Sequence, residues 1–161
     1  MIVKNEEAVL ARCLESVGEV ADEIVILDTG STDRTKEIAG RYTSRVYDYP
    51  WQEDFAAARN ASFSKATMDY ILWLDADDVL PEETRQGLLQ WKGTLCADVV
   101  MLRYHVAFDA AGRPTFSYYR ERLLRRANGY RWEGAVHEAI SVWGKVVYSQ
   151  LAVEHRKLRP G

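Results

Sequence analysis

Residues 23–28, EIVILD, form an almost continuous run of branched apolar side chains that ends on an acid. A strand wetted on one face alternates apolar with polar. One that is apolar at every position has both faces covered, as in a parallel sheet with helices on each side. The turn-forming stretch TGSTDRT follows at once and leads into a helical segment, TKEIAGRY. Strand, turn and helix then recur. A short strand is expected at 44–47, a helix over 54–66 (DFAAARNASFSKA), a strand over 70–75 (YILWLD) and a further helix from PEETRQGLLQWK. Upstream, EEAVLARCLESV sets Val9, Leu10, Cys13, Leu14 and Val17 at helical spacing, with Glu6 and Glu7 as first-turn acids suited to the helix dipole. Such alternation specifies an α/β sandwich on a mostly parallel sheet.

After residue 98 the pattern changes. ADVVMLRYHVAF and RPTFSYYRERLLRR read as strands joined by a hairpin at DAAG, and YRWEGAVHEAI and GKVVYSQLAVEHRK add short strands, so the second half is mixed or antiparallel. A chain of 161 residues fits one domain, with residues 1–98 and 99–161 as its two halves. MIVKNEE opens like the end of a strand, so the first strand is read as truncated. The carboxy end at Arg159-Pro160-Gly161 is read as stopping short of a closing element. The net charge of −3 carries no basic footprint for nucleic acid, although RERLLRR at 120–126 could form a local anion site. Cys13 and Cys96 lie in unrelated contexts, which argues for a reducing cytoplasm. No apolar run reaches the roughly 20 residues of a membrane helix. Peripheral membrane association stays open.

The second apolar run, ILWLDADDVL, releases Asp75, Asp77 and Asp78 within four positions. Carboxylates this close resist joint ionisation unless a cation or hydrogen-bond donors compensate them. Ligands of open α/β sheets bind beyond the carboxyl ends of the strands, where both Asp28 and this cluster are expected. A hard divalent cation with a diphosphate would meet that charge. Helix capping ahead of Pro81 competes for Asp78 but does not account for Asp75 and Asp77. A phosphohydrolase with an aspartyl nucleophile in a DxDxT pattern is disfavoured, because Val79 stands where the Thr belongs. A nucleotidyltransferase would carry a Gly-rich basic phosphate loop, which KNEEAVL is not.

Four segments in order, MIVKNEE at 1–7, ILDTGSTDRT at 26–35, AARN at 57–60 and WLDADD at 73–78, together resemble the family 2 glycosyltransferases. WQEDFAAARN and YRWEGAVHE resemble the bacterial branch that often carries helical repeats. The resemblance implies the GT-A fold, a three-layer sandwich with a mostly parallel central sheet and a smaller mixed second half. It also implies an inverting transferase moving a sugar from a nucleotide-diphosphate donor, a UDP-sugar by family analogy, to a saccharide, lipid-linked or protein acceptor. Residues 1–98 would hold the nucleotide sugar and residues 99–161 the acceptor.

By the same resemblance Asp28 contacts base or ribose, Glu6 lies near the nucleotide, and Arg59 and Asn60 flank it, although Arg59 equally suits a plain salt bridge. Asp75 and Asp77 match the first and last acids of a DxD motif. Asp77 is the leading ligand for Mn²⁺ or Mg²⁺, and Asp75 meets the ribose or the metal through water. His155, ahead of His137, is the third ligand. Glu138 is the leading candidate base by position, with Asp78 and Glu133 as alternatives. His105 reads as core or acceptor wall, and Trp51, Tyr118, Tyr119, Trp132 and Trp143 as aromatics of unassigned role. A different class remains beside the enzyme: a non-catalytic nucleotide-sugar-binding or assembly module of the same fold.

Overall fold

A computed structural model describes residues 1–158; the expectation for Arg159, Pro160 and Gly161 lies outside them. The run at 23–28 becomes strand β2 (Ile26–Asp28), flanked in parallel by β1 (Ile2–Val3) and β3 (Val46–Asp48). Ile26, Leu27 and Asp28 are all buried, as a strand covered on both faces requires.

Helix α1 (Leu10–Val17) buries Leu10, Cys13, Leu14 and Val17, the expected stripe. Its start corrects the sequence reading, because Glu6 and Glu7 precede the helix instead of forming its first turn. Asn5 takes the left-handed backbone that asparagine tolerates, at φ 54°. The Glu6 carbonyl accepts from the amides of Val9 and Leu10, and Glu7 pairs with Arg34 at 3.2 Å. Helices α2 (Thr35–Gly40), α3 (Phe55–Ser64) and α4 (Glu82–Trp91) fall where expected. Helix α3 begins on Asp54, whose carboxylate accepts from the amide of Ala57 at 2.9 Å.

The remaining strands are β4 (Tyr70–Leu72), β5 (Asp78–Val79), β6 (Val99–Phe108), β7 (Pro114–Arg125), β8 (Trp132–Glu133), β9 (Ala139–Ile140) and β10 (Val146–His155). A mixed five-stranded sheet runs β4-β7-β6-β10-β5, and β8 and β9 form a separate pair. The β6–β7 hairpin closes where the Asp109 carboxylate accepts from the amides of Ala111 and Arg113. YILWLD departs from the expected strand over 70–75. Its ladder ends at Leu72, pairs antiparallel with β7, and releases residues 73–77 as a loop. Asp78 then re-enters the sheet in β5 instead of capping α4, whose N-cap position is Pro81.

Helix α1 joins the two sheets. Leu10 and Leu14 pack with Val3 and Ile26 on the parallel sheet, while Cys13 and Val17 pack with Leu80, Leu88, Leu102 and Val153 under the mixed one. Among the described residues no helix is long and apolar enough to cross a membrane. Because Leu10 is fully buried in the seam, Leu10→Ala is expected to lower unfolding free energy by about 2–5 kcal/mol, read as a lower urea midpoint.

Candidate functional site

The acids meet at the rim because β5 pairs antiparallel with β10 in a register that sets Asp78 opposite His155. The loop entering β5 is held by its own aspartates: the Asp75 amide donates to Asp78 Oδ2 at 2.9 Å, and the Asp78 amide donates to the Asp75 carbonyl at 3.0 Å. At the far end the Arg156 amide donates to the Asp77 carbonyl at 2.8 Å.

Asp78 is fully buried, and its compensating cation is Arg122, also fully buried, with Nη1 3.1 Å from Asp78 Oδ2. The Arg122 guanidinium lies between the rings of Trp73 (3.9 Å to the centroid) and Tyr104 (4.4 Å) and donates to the Trp73 carbonyl at 3.1 Å. Tyr104 donates to Asp78 Oδ1 at 2.8 Å. Burial alone would raise the Asp78 pKa, but His155, Arg122, the Asp75 amide and Tyr104 outweigh it and hold the carboxyl below its usual range. Enclosed on all sides, Asp78 cannot reach an acceptor proton, which removes it as a base; it is a buried strut. Arg122 was legible only as part of a basic run. It points inward because of a β-bulge: Val100 pairs with Leu123 but Met101 with Glu121, leaving Arg122 as the extra residue.

A second guanidinium takes a second acid. Arg59, on α3, is 3.0 Å from Asp75 and 2.9 Å from Glu138 and lies over the rings of Trp73 and Trp132. The salt bridge weighed for Arg59 is therefore formed, with two carboxylates. Burial would lower the Arg59 pKa, yet Asp75 and Glu138 raise it overall. Both ends of the Asn60 amide bond the Trp132 backbone, at 2.9 and 2.8 Å. It fixes β8 to α3, with one N–H and one oxygen lone pair still free. Through that link, and through the Phe55 amide donating to the Ala135 carbonyl at 2.9 Å, the 134–138 loop carries Glu138 to Arg59.

Asp28 is divided in function. Oδ2 accepts from the amides of Gly30 and Ser31 at 3.0 and 2.9 Å, closing the turn after β2, while Oδ1 is buried without a partner. An orphaned carboxylate oxygen is costly and needs a donor. The Glu6 carboxyl is raised by burial and then by Asp77, Asp75 and Asp33, so it shares the same negative field. A groove of about 540 Å³ between residues 22–25 and 66–72 contains none of these residues.

Asp77, Asp78 and His155 each offer a ligand atom within 4.8 Å of one another. With Asp78 committed to Arg122, the accessible pair is Asp77 and His155, whose Nδ1 lies 3.4 Å from Asp77 Oδ1. A carboxylate suits Mn²⁺ or Mg²⁺ and an imidazole suits first-row transition metals better than Mg²⁺, so the donor set fits a divalent cation completed by substrate oxygens, Mn²⁺ more readily than Mg²⁺. Asp77 and then Asp78 raise the His155 pKa to about 9. Tyr104 is kept protonated, pushed up by burial and by Asp78. His137 and Glu133 are exposed outside this cluster. His105 is half-buried, bonded to Ser117 and edge-on to Phe108.

A family model described as Glycosyl transferase family 2 matches residues 1–142. Among relatives, a TPR repeat-containing protein of Synechococcus elongatus is 49% identical over 80 residues, covering 50% of this chain and 20% of that protein. The SPbeta prophage-derived glycosyltransferase SunS of Bacillus subtilis is 31% identical over 153 residues, covering 86% and 33%. The chain thus spans a third or less of these relatives. Among solved structures, S. aureus TarS 1-349 superposes with a TM-score of 0.69 at 17% identity, over 96% of this chain and 58% of that one. The same protein in complex with UDP-GlcNAc gives 0.67 at 17% identity, over 99% and 58%. Glucosyl-3-phosphoglycerate synthase from Mycobacterium tuberculosis, in complex with Mn²⁺ and UDP-glucose, gives 0.51 at 24%, over 64% and 41%. These likenesses agree on the GT-A fold.

Arg122→Leu strands the Asp78 charge in the core and is expected to cost about 3–5 kcal/mol at neutral pH. The folded Asp78 pKa is depressed, so its contribution is present above the ordinary carboxylate range and lost as pH falls through the lower folded value. Urea titrations of both proteins should therefore differ most near neutrality and converge in acid.

Proposed function

We propose that this chain, which belongs to glycosyl transferase family 2, moves a sugar from a UDP-sugar to an acceptor hydroxyl with inversion, using a divalent cation held by Asp77 and His155. The observation that carries this reading is the approach of Asp77 to His155, two potential cation ligands, beside Asp75 and Asp78, which have arginine partners of their own. The solved relatives with UDP-GlcNAc, and with Mn²⁺ and UDP-glucose, support the choice of donor and cation.

In this reading residues 1–98 supply most of the donor side and residues 99–161 the acceptor side, with His155 returning along β10 to the donor rim. The unpartnered Oδ1 of Asp28 accepts from a base N–H or a ribose hydroxyl, a charge-assisted bond. Asp75, paired with Arg59 and partly exposed, meets the ribose. The chemistry supplied by a bound Mn²⁺ or Mg²⁺ is neutralisation of the negative charge on the departing diphosphate. Glu138 takes the acceptor proton: Arg59 holds Oε1, and Oε2 lies outside that ion pair. The acceptor is a saccharide, lipid-linked or protein hydroxyl.

Calorimetric titration of UDP-GlcNAc and UDP-glucose, with Mn²⁺ or with chelator, tests the reading. Binding is expected with Mn²⁺ only, and Asp77→Asn should weaken it by at least about tenfold, equivalent to about 1.4 kcal/mol. Glu138→Gln should retain donor binding while transfer falls by about 10²–10⁴-fold. Cation-independent binding with no donor hydrolysis would favour a non-catalytic nucleotide-sugar module.

A further inference from the structure

The groove of about 540 Å³ between residues 22–25 and 66–72 has no part in the proposed chemistry. It lies where the two large sheets fail to join. β1 is the outermost strand of one sheet and β4 of the other, and Met1 and residues 70–72 both line the gap.

Backbone alternation shows which groups face it. The Asp69 carbonyl accepts from the Arg126 amide at 2.9 Å, Ile71 pairs with Leu124, and the Trp73 amide donates to the Arg122 carbonyl at 3.4 Å. These residues direct their backbone groups toward β7, so Tyr70 and Leu72 between them direct theirs to the opposite edge. On the other wall, the Met1 nitrogen donates to the Val25 carbonyl and the Met1 carbonyl accepts from the Leu27 amide, both at 2.9 Å. Met1 thus already stands in the parallel ladder with β2. Two residues further upstream the same ladder meets the Val25 amide and the Glu23 carbonyl, and neither has a hydrogen bond among the described residues. Open strand edges of this kind are templates for another strand.

We propose that the groove is a docking site for an extended segment of about four residues joined to the Met1 nitrogen, matching the run 22–25, which pairs with β2 on one side and with Tyr70 and Leu72 on the other and so closes the two sheets into one. The lining sets its pattern. Val17 of α1 and Leu88 and Trp91 of α4 line one wall, and the Met1 side chain packs against the same cluster. Side chains alternate along a strand, so the second and fourth residues upstream of Met1 face that apolar layer and the first and third face away. Burial pushes the Met1 ammonium down to about 6, and a peptide bond at that nitrogen replaces a buried charge with the neutral donor that a ladder uses. Val3 pairs with Asp28 at the other end of β1, so a longer β1 also steadies the strand end that presents Asp28.

The test attaches Val-Thr-Val-Thr ahead of Met1 and, as a control, Asp-Thr-Asp-Thr, which sets charges at the two positions facing the apolar layer. Amide hydrogen exchange at Val25, Tyr70 and Leu72 is measured in both extended chains and in the parent, together with urea midpoints. The first extension should slow exchange at all three amides by at least about tenfold and raise the midpoint, whereas the control leaves both as in the parent. Unchanged exchange at Tyr70 and Leu72 with Val-Thr-Val-Thr attached overturns the proposal, as does equal slowing by the two extensions. Amides already protected in a parent that sediments as a dimer would give the groove to a second copy and overturn it too. A chain that folds only with Val-Thr-Val-Thr attached, and not with Asp-Thr-Asp-Thr, upholds it.

Discussion

Everything at the rim depends on the ion pair between Arg122 and Asp78. Removing both charges from water costs several kcal/mol per ion, and a bare pair at 3.1 Å does not reliably repay it. Here the cost is offset by additional partners. Asp78 accepts from the Asp75 amide and from Tyr104 as well as from Arg122. Arg122 Nε and Nη2 have no hydrogen-bond acceptor, but the guanidinium lies against the faces of Trp73 and Tyr104, which attract a desolvated cation. With Asp78 pinned inward by these bonds, the loop from 73 to 77 has a fixed end, and Asp75 and Asp77 are presented instead of buried.

The pair also sets how the acids divide their work. Asp75, Asp77, Asp78 and Glu138 are four carboxylates served by two guanidiniums, Arg59 and Arg122. Arg122 neutralises the buried acid, and Arg59 is shared between Asp75 and Glu138. Asp77 is left with His155, whose pKa is raised to about 9 by its hydrogen bonds to Asp77 and Asp78. At neutral pH His155 is an imidazolium beside Asp77, and a divalent cation bound there would take the place of its proton, while Asp28 Oδ1 still lacks a donor within the chain.

The sequence and the structure agree where local chemistry decides and part where long-range pairing does. EIVILD could only be a covered strand, the α1 stripe declared its buried face, and TGSTDRT declared its turn. That Asp77 and Asp78 would come near His155 was expected from acids placed at strand ends together with the family resemblance. Other features needed coordinates. A single bulge residue reverses the parity of β7, so no alternation pattern marks Arg122 as internal. Asp78 looked like a helix cap because a two-residue strand leaves no signal in sequence. The bonds from Asn60 to the Trp132 backbone also had no mark in sequence, because an amide that pairs with backbone reads the same as one that faces solvent.

The most direct measurement is a crystal structure of the chain grown with Mn²⁺ and UDP, with anomalous scattering to locate the metal. The account predicts Mn²⁺ bound by Asp77 and by His155, with Asp78 still buried against Arg122 and Tyr104 and the Asp28 Oδ1 bonded to the nucleoside. Metal bound by Asp78 after it has left Arg122, or Mn²⁺ and UDP at a site that excludes Asp77 and His155, would contradict it.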